Sequence, residues 1–208
     1  FAPIPRKKAF YIFKKDAANN SNSAVLMARL YQTGRGVAKD EIKAQQIAKM
    51  ALPKVKKLAE RGISTSQFVL GLMYDFGLGT DRNIEEAMKW NMSSAKLGSK
   101  VVHWSLGSVY QFGLTGKKDW AKAVKHYKQC SLVISSCTRL IGALFYTGGN
   151  GVPKNYGKAV KWFRKGAEQG NAYAQAALGE FYENGHGVTK DYKKATAWYR
   201  KAEKLGLI

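Results

Sequence analysis

The stretch YENGHGVTKDYKKATAWYRKAEKLG, residues 182–206, contains two glycines one residue apart, a lysine-rich segment, a Trp-Tyr pair and a final glycine. The same order recurs upstream with a period of 36 residues. A fixed period of this length is typical of repeat proteins, in which one supersecondary unit cannot bury its apolar face alone. The positions in phase are Ala87, Ala123, Ala159 and Ala195; Tyr74, Tyr110, Tyr146 and Tyr182; and Trp90, Trp162 and Trp198, with His126 in the fourth place.

An earlier unit near the N-terminus repeats the order with a longer spacing. Tyr31, Gly34 and Ala44 keep the spacing to one another that their counterparts have in the later units, but Ala44 precedes Ala87 by 43 residues instead of 36. About seven extra residues are therefore predicted to lengthen the second helix of this unit or its exit, near residues 52–62. We predict a capping helix or half-repeat at 1–22 and five repeats, at 23–62, 63–98, 99–134, 135–170 and 171–208.

Each unit contains two apolar patterns with helical spacing. Ala174 and Leu178 lie on one helical face, and Ala195 and Trp198 on another. The Gly-x-Gly between them can end the first helix and reverse the chain, because glycine readily adopts positive φ. Residues suited to cap the second helix follow the glycines. The predicted N-caps are Asn83, Asp119, Asn155 and Asp191. The unit is thus predicted to be an αα-hairpin, and the fold all-α.

The last unit, AQAALGEFYENGHGVTKDYKKATAWYRKAEKLG (174–206), resembles the consensus of the Sel1-like repeat family, a relative of the tetratricopeptide repeats. The resemblance covers about residues 24–208. Two units depart from it, with FGLTGKKD at 112–119 and Gly142-Ala143 in place of Leu-Gly. The resemblance implies a right-handed superhelical α/α solenoid of about five helix-turn-helix repeats. It also implies a non-enzymatic adaptor, often bacterial and often exported or associated with the envelope.

Composition limits the partners and the compartment only loosely. The net charge is +21, which favours anionic partners such as an acidic protein, nucleic acid or acidic lipid. No apolar run approaches the roughly 18 residues of a membrane span. The opening FAPIP would suit a mature exported protein, either periplasmic or secreted, and a cytoplasmic location is the alternative.

The partner-binding surface is predicted by analogy with tetratricopeptide stacks, whose first helices line a concave groove. The partner is expected to be another protein or a peptide, bound by a monomer, with apolar side chains beside Trp104 and Phe68. The alternative is that these aromatic residues only pack between repeats. The predicted groove residues are Val25, Arg29, Gln32, Phe68, Leu72, Asp75, Trp104, Ser108, Gln111, Leu140, Leu144, Thr147, Ala176, Glu180 and Glu183.

The lysines and arginines are grouped by repeat phase on other positions, which predicts basic ladders facing outward. These ladders favour a polyanion-binding protein as the alternative function, acting on nucleic acid, anionic lipid or glycan. The simpler explanation of the ladders is a solvated face that only keeps the protein soluble. The ladder positions are Arg82, Lys118, Lys154 and Lys190; Lys89, Lys125 and Lys161; and Lys128, Arg164 and Arg200.

Reactive groups are few. The three histidines, His103, His126 and His186, lack metal-ligand spacing, so no metal and no cofactor are predicted. Cys130 and Cys137 bracket a corner between two predicted helices, and some Sel1-like proteins have disulfides at a comparable corner. A disulfide and two small buried thiols remain alternatives. With no catalytic constellation, the sequence predicts a scaffold rather than an enzyme. It could be a host-directed effector or a modulator of an envelope enzyme.

Overall fold

A computed structural model describes residues 6–207, and over this range it contains eleven helices and no strand. The all-α fold class predicted from the sequence is confirmed. No helix within this range combines the length and the apolar character needed to cross a membrane. The helices are α1 (Arg6–Asp16), α2 (Ser21–Thr33), α3 (Glu41–Glu60), α4 (Ser64–Phe76), α5 (Ile84–Lys96), α6 (His103–Phe112), α7 (Trp120–Cys130), α8 (Ser135–Thr147), α9 (Tyr156–Glu168), α10 (Ala172–Asn184) and α11 (Tyr192–Glu203).

The helices pair into five successive hairpins, as the repeat predicts. The chain divides into two compact units, here called the N-terminal unit (residues 1–102) and the C-terminal unit (103–208). The N-terminal unit contains α1 and the hairpins α2–α3 and α4–α5. The C-terminal unit contains the hairpins α6–α7, α8–α9 and α10–α11. Within each hairpin we call the earlier helix the first helix and the later one the second helix.

The predicted N-caps of the second helices are confirmed. The side-chain oxygen of each cap accepts a hydrogen bond from the backbone amide three residues later, which satisfies an amide that the helix itself cannot. The capping pairs are Asn83 with Glu86, Asp119 with Lys122, Asn155 with Lys158, and Asp191 with Lys194. Asp40 caps α3 in the same way through Lys43.

The extra residues of the earliest unit lengthen its second helix. Helix α3 has 20 residues, whereas α5 and α9 have 13 each. Its buried alanines continue through the insertion, so the added turns still pack against the rest of the unit. Pro53 lies inside the helix, and the helix continues past it to Glu60.

Glycines on the first helices make room for large side chains on the second helices. A Cβ placed on Gly107 would lie 2.4 Å from Cε1 of Tyr127, and one on Gly179 would lie 2.5 Å from Cε1 of Tyr199. Real Cβ atoms do not approach carbon atoms so closely. These glycines therefore set the separation of the two helices, and the C-terminal unit packs its largest buried side chain, Tyr127, over one of them.

Helix α8 is displaced by one residue from the 36-residue period. Asn155 donates its backbone amide to the carbonyl of Phe145 at 2.7 Å, so Phe145 rather than Tyr146 holds the tyrosine place of the repeat. The turn that follows contains one residue more, and Asn150 there adopts a positive φ of 47°. In the other hairpins the equivalent amide binds the in-phase tyrosine: Asn83 to Tyr74, Asp119 to Tyr110, and Asp191 to Tyr182.

The displacement arises between α7 and α8, because the N-cap Ile134 follows the in-phase Ala123 by 11 residues, whereas the N-cap Asn171 follows Ala159 by 12. Gly62, Gly98 and Gly170 follow α3, α5 and α9 with φ of 82°, 87° and 78°. At the α7–α8 corner Ile134 directly takes the cap position of α8 at φ −129°, with no such glycine. Cys130 and Cys137, both fully buried, are joined there by a disulfide with their Cα atoms 6.0 Å apart. Of the two alternatives left by the sequence, the structure contains the bridge.

Candidate functional site

The candidate site is the first-helix face, meaning the side chains of the first helices that do not point into the core of their own hairpin. It is described separately for each unit. In the N-terminal unit it comprises Arg29 and Gln32 on α2, and Phe68, Leu72 and Asp75 on α4, all of which are half-buried. The predicted residue Val25 does not belong to it, because its side chain is 1% exposed and lies in the core.

In the N-terminal unit the face is held by one arginine. The guanidinium of Arg29 lies 3.6 Å above the ring of Phe76 and donates a hydrogen bond to Oε1 of Gln32 at 2.8 Å. Gln32 in turn donates to the carbonyl of Phe76 at 3.4 Å. Burial, followed by the charge of Arg35, lowers the pKa of Arg29, and the nearby Asp75 opposes this. Three predicted groove residues, Arg29, Gln32 and Asp75, therefore lie close together. Phe76, which was not among the predicted groove residues, also belongs to this group of contacts.

In the hairpin α6–α7 a buried tyrosine connects two predicted residues. The hydroxyl of Tyr127 donates to Oε1 of Gln111 at 2.7 Å and lies 3.3 Å from Oγ of Ser108. Burial raises the pKa of Tyr127 to about 12, so its hydroxyl stays protonated. Trp104 is 38% exposed on the same helix and presents an aromatic surface. Ser108 and Gln111 are thus held in fixed orientations beside an exposed ring.

In the hairpins α8–α9 and α10–α11 tyrosines hold two exposed carboxylates. Tyr199 donates to Oε2 of Glu183 at 2.8 Å, and Tyr146 donates to Oε1 of Glu180 at 3.4 Å. Burial, and then the hydrogen bond to Glu183, raise the pKa of Tyr199 to about 12. Tyr173 is exposed on α10, with the guanidinium of Arg139 5.7 Å from its ring. This part of the face therefore combines acidic and aromatic groups in a unit that is otherwise strongly basic.

The prediction for α8 is wrong in register. Leu144 is 2% exposed and lies in the core, so it cannot contact a partner. Leu140 packs against the same core, and Thr147 is exposed and bonds back to its own helix. Because of the one-residue displacement, the positions equivalent to the other first helices are Arg139, Ala143 and Tyr146, all half-buried. Ala176 on α10 is also half-buried and keeps its predicted phase.

The predicted basic ladders are exposed at every position. Some of their side chains make local contacts: Arg82 donates to the carbonyl of Asp75 at 2.9 Å, and Lys89 pairs with Glu86 at 3.2 Å. Others lie over aromatic rings, which was not expected from the sequence. The ammonium of Lys154 is 4.7 Å from the ring centre of Tyr156, and that of Lys190 is 4.8 Å from Tyr192, whose side chain is 62% exposed.

His103 and His126 lie in direct contact with each other. Nδ1 of His103 and Nδ1 of His126 are 2.9 Å apart, and the His126 ring stacks on Tyr110 in the place where other repeats have tryptophan. Burial, then His103 and Lys125, lower the pKa of His126 to about 4. Among residues 6–207 no group of three or more histidine, cysteine, aspartate or glutamate side chains is placed to hold a metal ion.

The tyrosines that orient this face are absent from the predicted groove residues. Tyr127 and Tyr199 each follow a first-helix glycine by 20 residues, and the glycine provides the space for the ring. That spacing is visible in the sequence and could have indicated them. Phe76 and Tyr146 carry no comparable signal, because the first depends on contacts between neighbouring hairpins and the second on the displacement of α8.

The fold and the face define a class: a repeat protein of α-hairpins that offers a structured surface. The chain belongs to the Sel1 repeat family. The family model, Sel1 repeat, matches residues 21–52, 64–99, 102–129, 136–171 and 172–207. Sel1 repeat proteins generally mediate protein–protein interactions, and the family is typically a non-enzymatic scaffold.

Solved structures agree with this assignment. A Sel1 repeat protein from Oxalobacter formigenes is 33% identical, with a TM-score of 0.73, over 94% of this chain and 77% of that one. The immunity protein Pa5087 from Pseudomonas aeruginosa is 18% identical, with a TM-score of 0.62 over 98% and 76% of the two chains, and shows the fold alone. A putative Sel1 repeat protein from Klebsiella pneumoniae is likewise 18% identical, with a TM-score of 0.55 over 95% and 93%. A search of curated proteins gave no significant match.

Proposed function

We propose that the protein is a non-enzymatic scaffold that binds a partner protein or peptide through the first-helix face of its hairpins. The observation that carries this is the orientation of polar side chains by buried or half-buried tyrosines, at Gln111 and Glu183, beside exposed aromatic rings. Side chains that are already fixed lose little conformational freedom on binding. Aromatic residues next to them are the usual anchors of protein interfaces.

The charge distribution is suited to select a partner in two ways, by long-range attraction and by short-range contacts. The net charge of +21 attracts an acidic partner over long range. Glu180 and Glu183 then accept basic or hydrogen-bonding groups of the partner at short range. We propose that the protein acts as a monomer in the bacterial envelope or outside the cell, as an effector or as a modulator of an envelope enzyme. The buried disulfide supports an oxidising compartment.

The test compares two charge reversals of equal size. Glu180→Lys with Glu183→Lys changes the first-helix face, whereas Glu168→Lys with Glu203→Lys changes exposed second-helix carboxylates. Partners recovered from extracts of the source bacterium are identified by mass spectrometry, purified and titrated by calorimetry. We expect the first pair to weaken binding at least tenfold and the second pair by less than twofold. Equal effects, or no effect of either pair, would refute binding through this face.

The alternative is a polyanion-binding protein that uses the basic ladders. The lysines that lie over exposed or half-buried rings favour it, because cations and aromatic groups together contact phosphates and bases. We expect a single-stranded oligonucleotide to bind at low salt, with an affinity that falls steeply as salt rises. Lys125→Ala with Lys161→Ala should reduce the salt slope. Absence of binding to nucleic acid and to anionic vesicles at low salt removes this alternative.

A further inference from the structure

An apolar cleft lies in the N-terminal unit, between the end of α1, the start of α2 and the middle of α3. Its volume is about 450 Å³, within the range of small-molecule sites in proteins. Asp16 at the end of α1 accepts a hydrogen bond from Oγ of Ser23 at 2.6 Å, which joins α1 to α2 beside the cleft. The residues that line it are Ala17, Ala18, Asn19, Ser21, Ala24, Met27, Ile47, Met50, Ala51 and Lys54.

Two departures from the repeat produce this cleft. Ile47 occupies the place that Trp90, Trp162 and Trp198 hold in other second helices, three residues after the in-phase alanine, and the smaller side chain leaves space. The extension of α3 supplies the second departure. Lys54 corresponds to Leu97 and Gln169, which lie just beyond the ends of α5 and α9 at Lys96 and Glu168, so this lysine is carried by the added turns. Both features, Ile47 and the extension of α3, are particular to this repeat.

The lining has a defined chemistry. Alanine, isoleucine and methionine side chains form most of it, and methionine adapts easily to the shape of an apolar ligand. Ser21 is 8% exposed, and its Oγ is buried with no hydrogen-bond partner among the described residues. Lys54 is the one charged residue of the described lining. A hydrocarbon chain with an anionic head group matches these three features together.

We propose that this cleft binds an aliphatic carboxylate of medium chain length. The chain lies against Ala24, Met27 and Ile47, and the carboxylate pairs with Lys54 and accepts a hydrogen bond from Ser21. Charge-assisted hydrogen bonds of this kind are stronger than neutral ones. The proposal is independent of the first-helix face, since none of the lining residues belongs to that face.

The test titrates decanoate, below its micelle concentration, into the full chain by calorimetry. Decanol and decylamine serve as ligands of equal length without the negative charge. Lys54→Glu removes the cation from the cleft, and Lys56→Glu makes the same change at an exposed position of α3 outside it. Ile47→Trp restores the residue that other repeats carry and fills the space. Circular dichroism and thermal unfolding establish that each variant is folded.

We expect decanoate to bind at least tenfold more tightly than decanol or decylamine. Lys54→Glu should weaken it at least tenfold, Lys56→Glu by less than twofold, and Ile47→Trp should abolish binding in a folded protein. The proposal is overturned if decanoate does not bind, or if the two lysine variants have equal effects. It is also overturned if Ile47→Trp retains full affinity, or if phosphatidylglycerol vesicles bind while monomeric decanoate does not.

Discussion

Substitution of Gly107 by alanine tests how the hairpins are held together. The added Cβ would lie 2.4 Å from Cε1 and 2.6 Å from Cδ1 of Tyr127. This ring is fully buried, and its hydroxyl donates a hydrogen bond to Gln111. The ring therefore cannot move aside without losing packing contacts and this hydrogen bond. The helix α6, the ring or both must shift. An exposed helical glycine, Gly157 on α9, provides the matched control, since its Cβ would meet nothing closer than Oδ1 of Asn155 at 3.5 Å.

The magnitude follows from opposing terms. Alanine in place of glycine favours a helix by about 1 kcal/mol. Overpacking of a filled core costs about 1–3 kcal/mol, and a weakened Tyr127–Gln111 hydrogen bond costs about 1 kcal/mol more. Gly107→Ala should therefore destabilise the protein by about 1–3 kcal/mol. Gly157→Ala has no steric cost and should stabilise it by about 0.5–1 kcal/mol.

The assay is urea unfolding followed by circular dichroism, with thermal scans in parallel. We expect the two variants to differ by about 1.5–4 kcal/mol, which corresponds to melting temperatures separated by roughly 3–10 °C in a chain of this size. Adding Tyr127→Leu to Gly107→Ala should cost less than the sum of the two single changes, because the smaller side chain relieves the contact. If Gly107→Ala stabilised the protein as much as Gly157→Ala, the idea that glycine sets the helix separation would be refuted.

Three further outcomes follow from the structure. The pKa of His126 is lowered in the folded protein, so between about pH 6.5 and 4 the unfolded chain binds a proton that the folded chain does not. The free energy of unfolding should therefore decrease by roughly 1–2 kcal/mol as the pH falls through this window, after allowance for partial exposure. His126→Phe should flatten the pH profile measured by urea unfolding. Reduction of the Cys130–Cys137 bridge, which spans a separation of seven residues, should cost about 2.5 kcal/mol in the same assay, and an unchanged midpoint would contradict a stabilising role. Asn155→Ala removes the N-cap of α9 and should cost about 1 kcal/mol, which thermal unfolding can detect; no loss would show that the cap hydrogen bond is not made.

The helix ends could be predicted because they depend on local chemistry. Asn83, Asp119, Asn155 and Asp191 cap their helices through amides only three residues away, so the sequence around each cap already contains the cause. The lengthening of α3 was predictable for a similar reason. Its alanines continue the helical spacing through the inserted residues, and Ala59 remains buried at the far end.

The register of α8 could not be predicted from the repeat alone. One residue is missing before this helix, and one is added after it around Asn150, so the units on either side stay in phase. A constant period therefore conceals the shift and predicts Leu144 on the first-helix face, although this side chain lies in the core. The glycine missing at Ile134 was a visible sign of the irregularity, but the sequence does not state in which direction the chain adjusts.

The geometry of the first-helix face was only partly predictable. Arg29, Gln32, Ser108 and Gln111 are half-buried on first helices, which the sequence could indicate because helical spacing determines which residues share a face. The contacts that orient these side chains come from the partner helix of the hairpin. Tyr127 is such a contact, and its place depends on how closely the two helices approach.

The covalent link at the α7–α8 corner has a consequence for motion within the C-terminal unit. Successive repeats usually meet through side chains alone, so a terminal hairpin can open while its neighbour stays closed. Here the last turn of one hairpin is tied to the first turn of the next through Cys130 and Cys137. The amides at the end of α7 and the start of α8 should therefore exchange through a common opening, with the same free energy of opening. After reduction of the disulfide, the two segments should open separately, with different free energies.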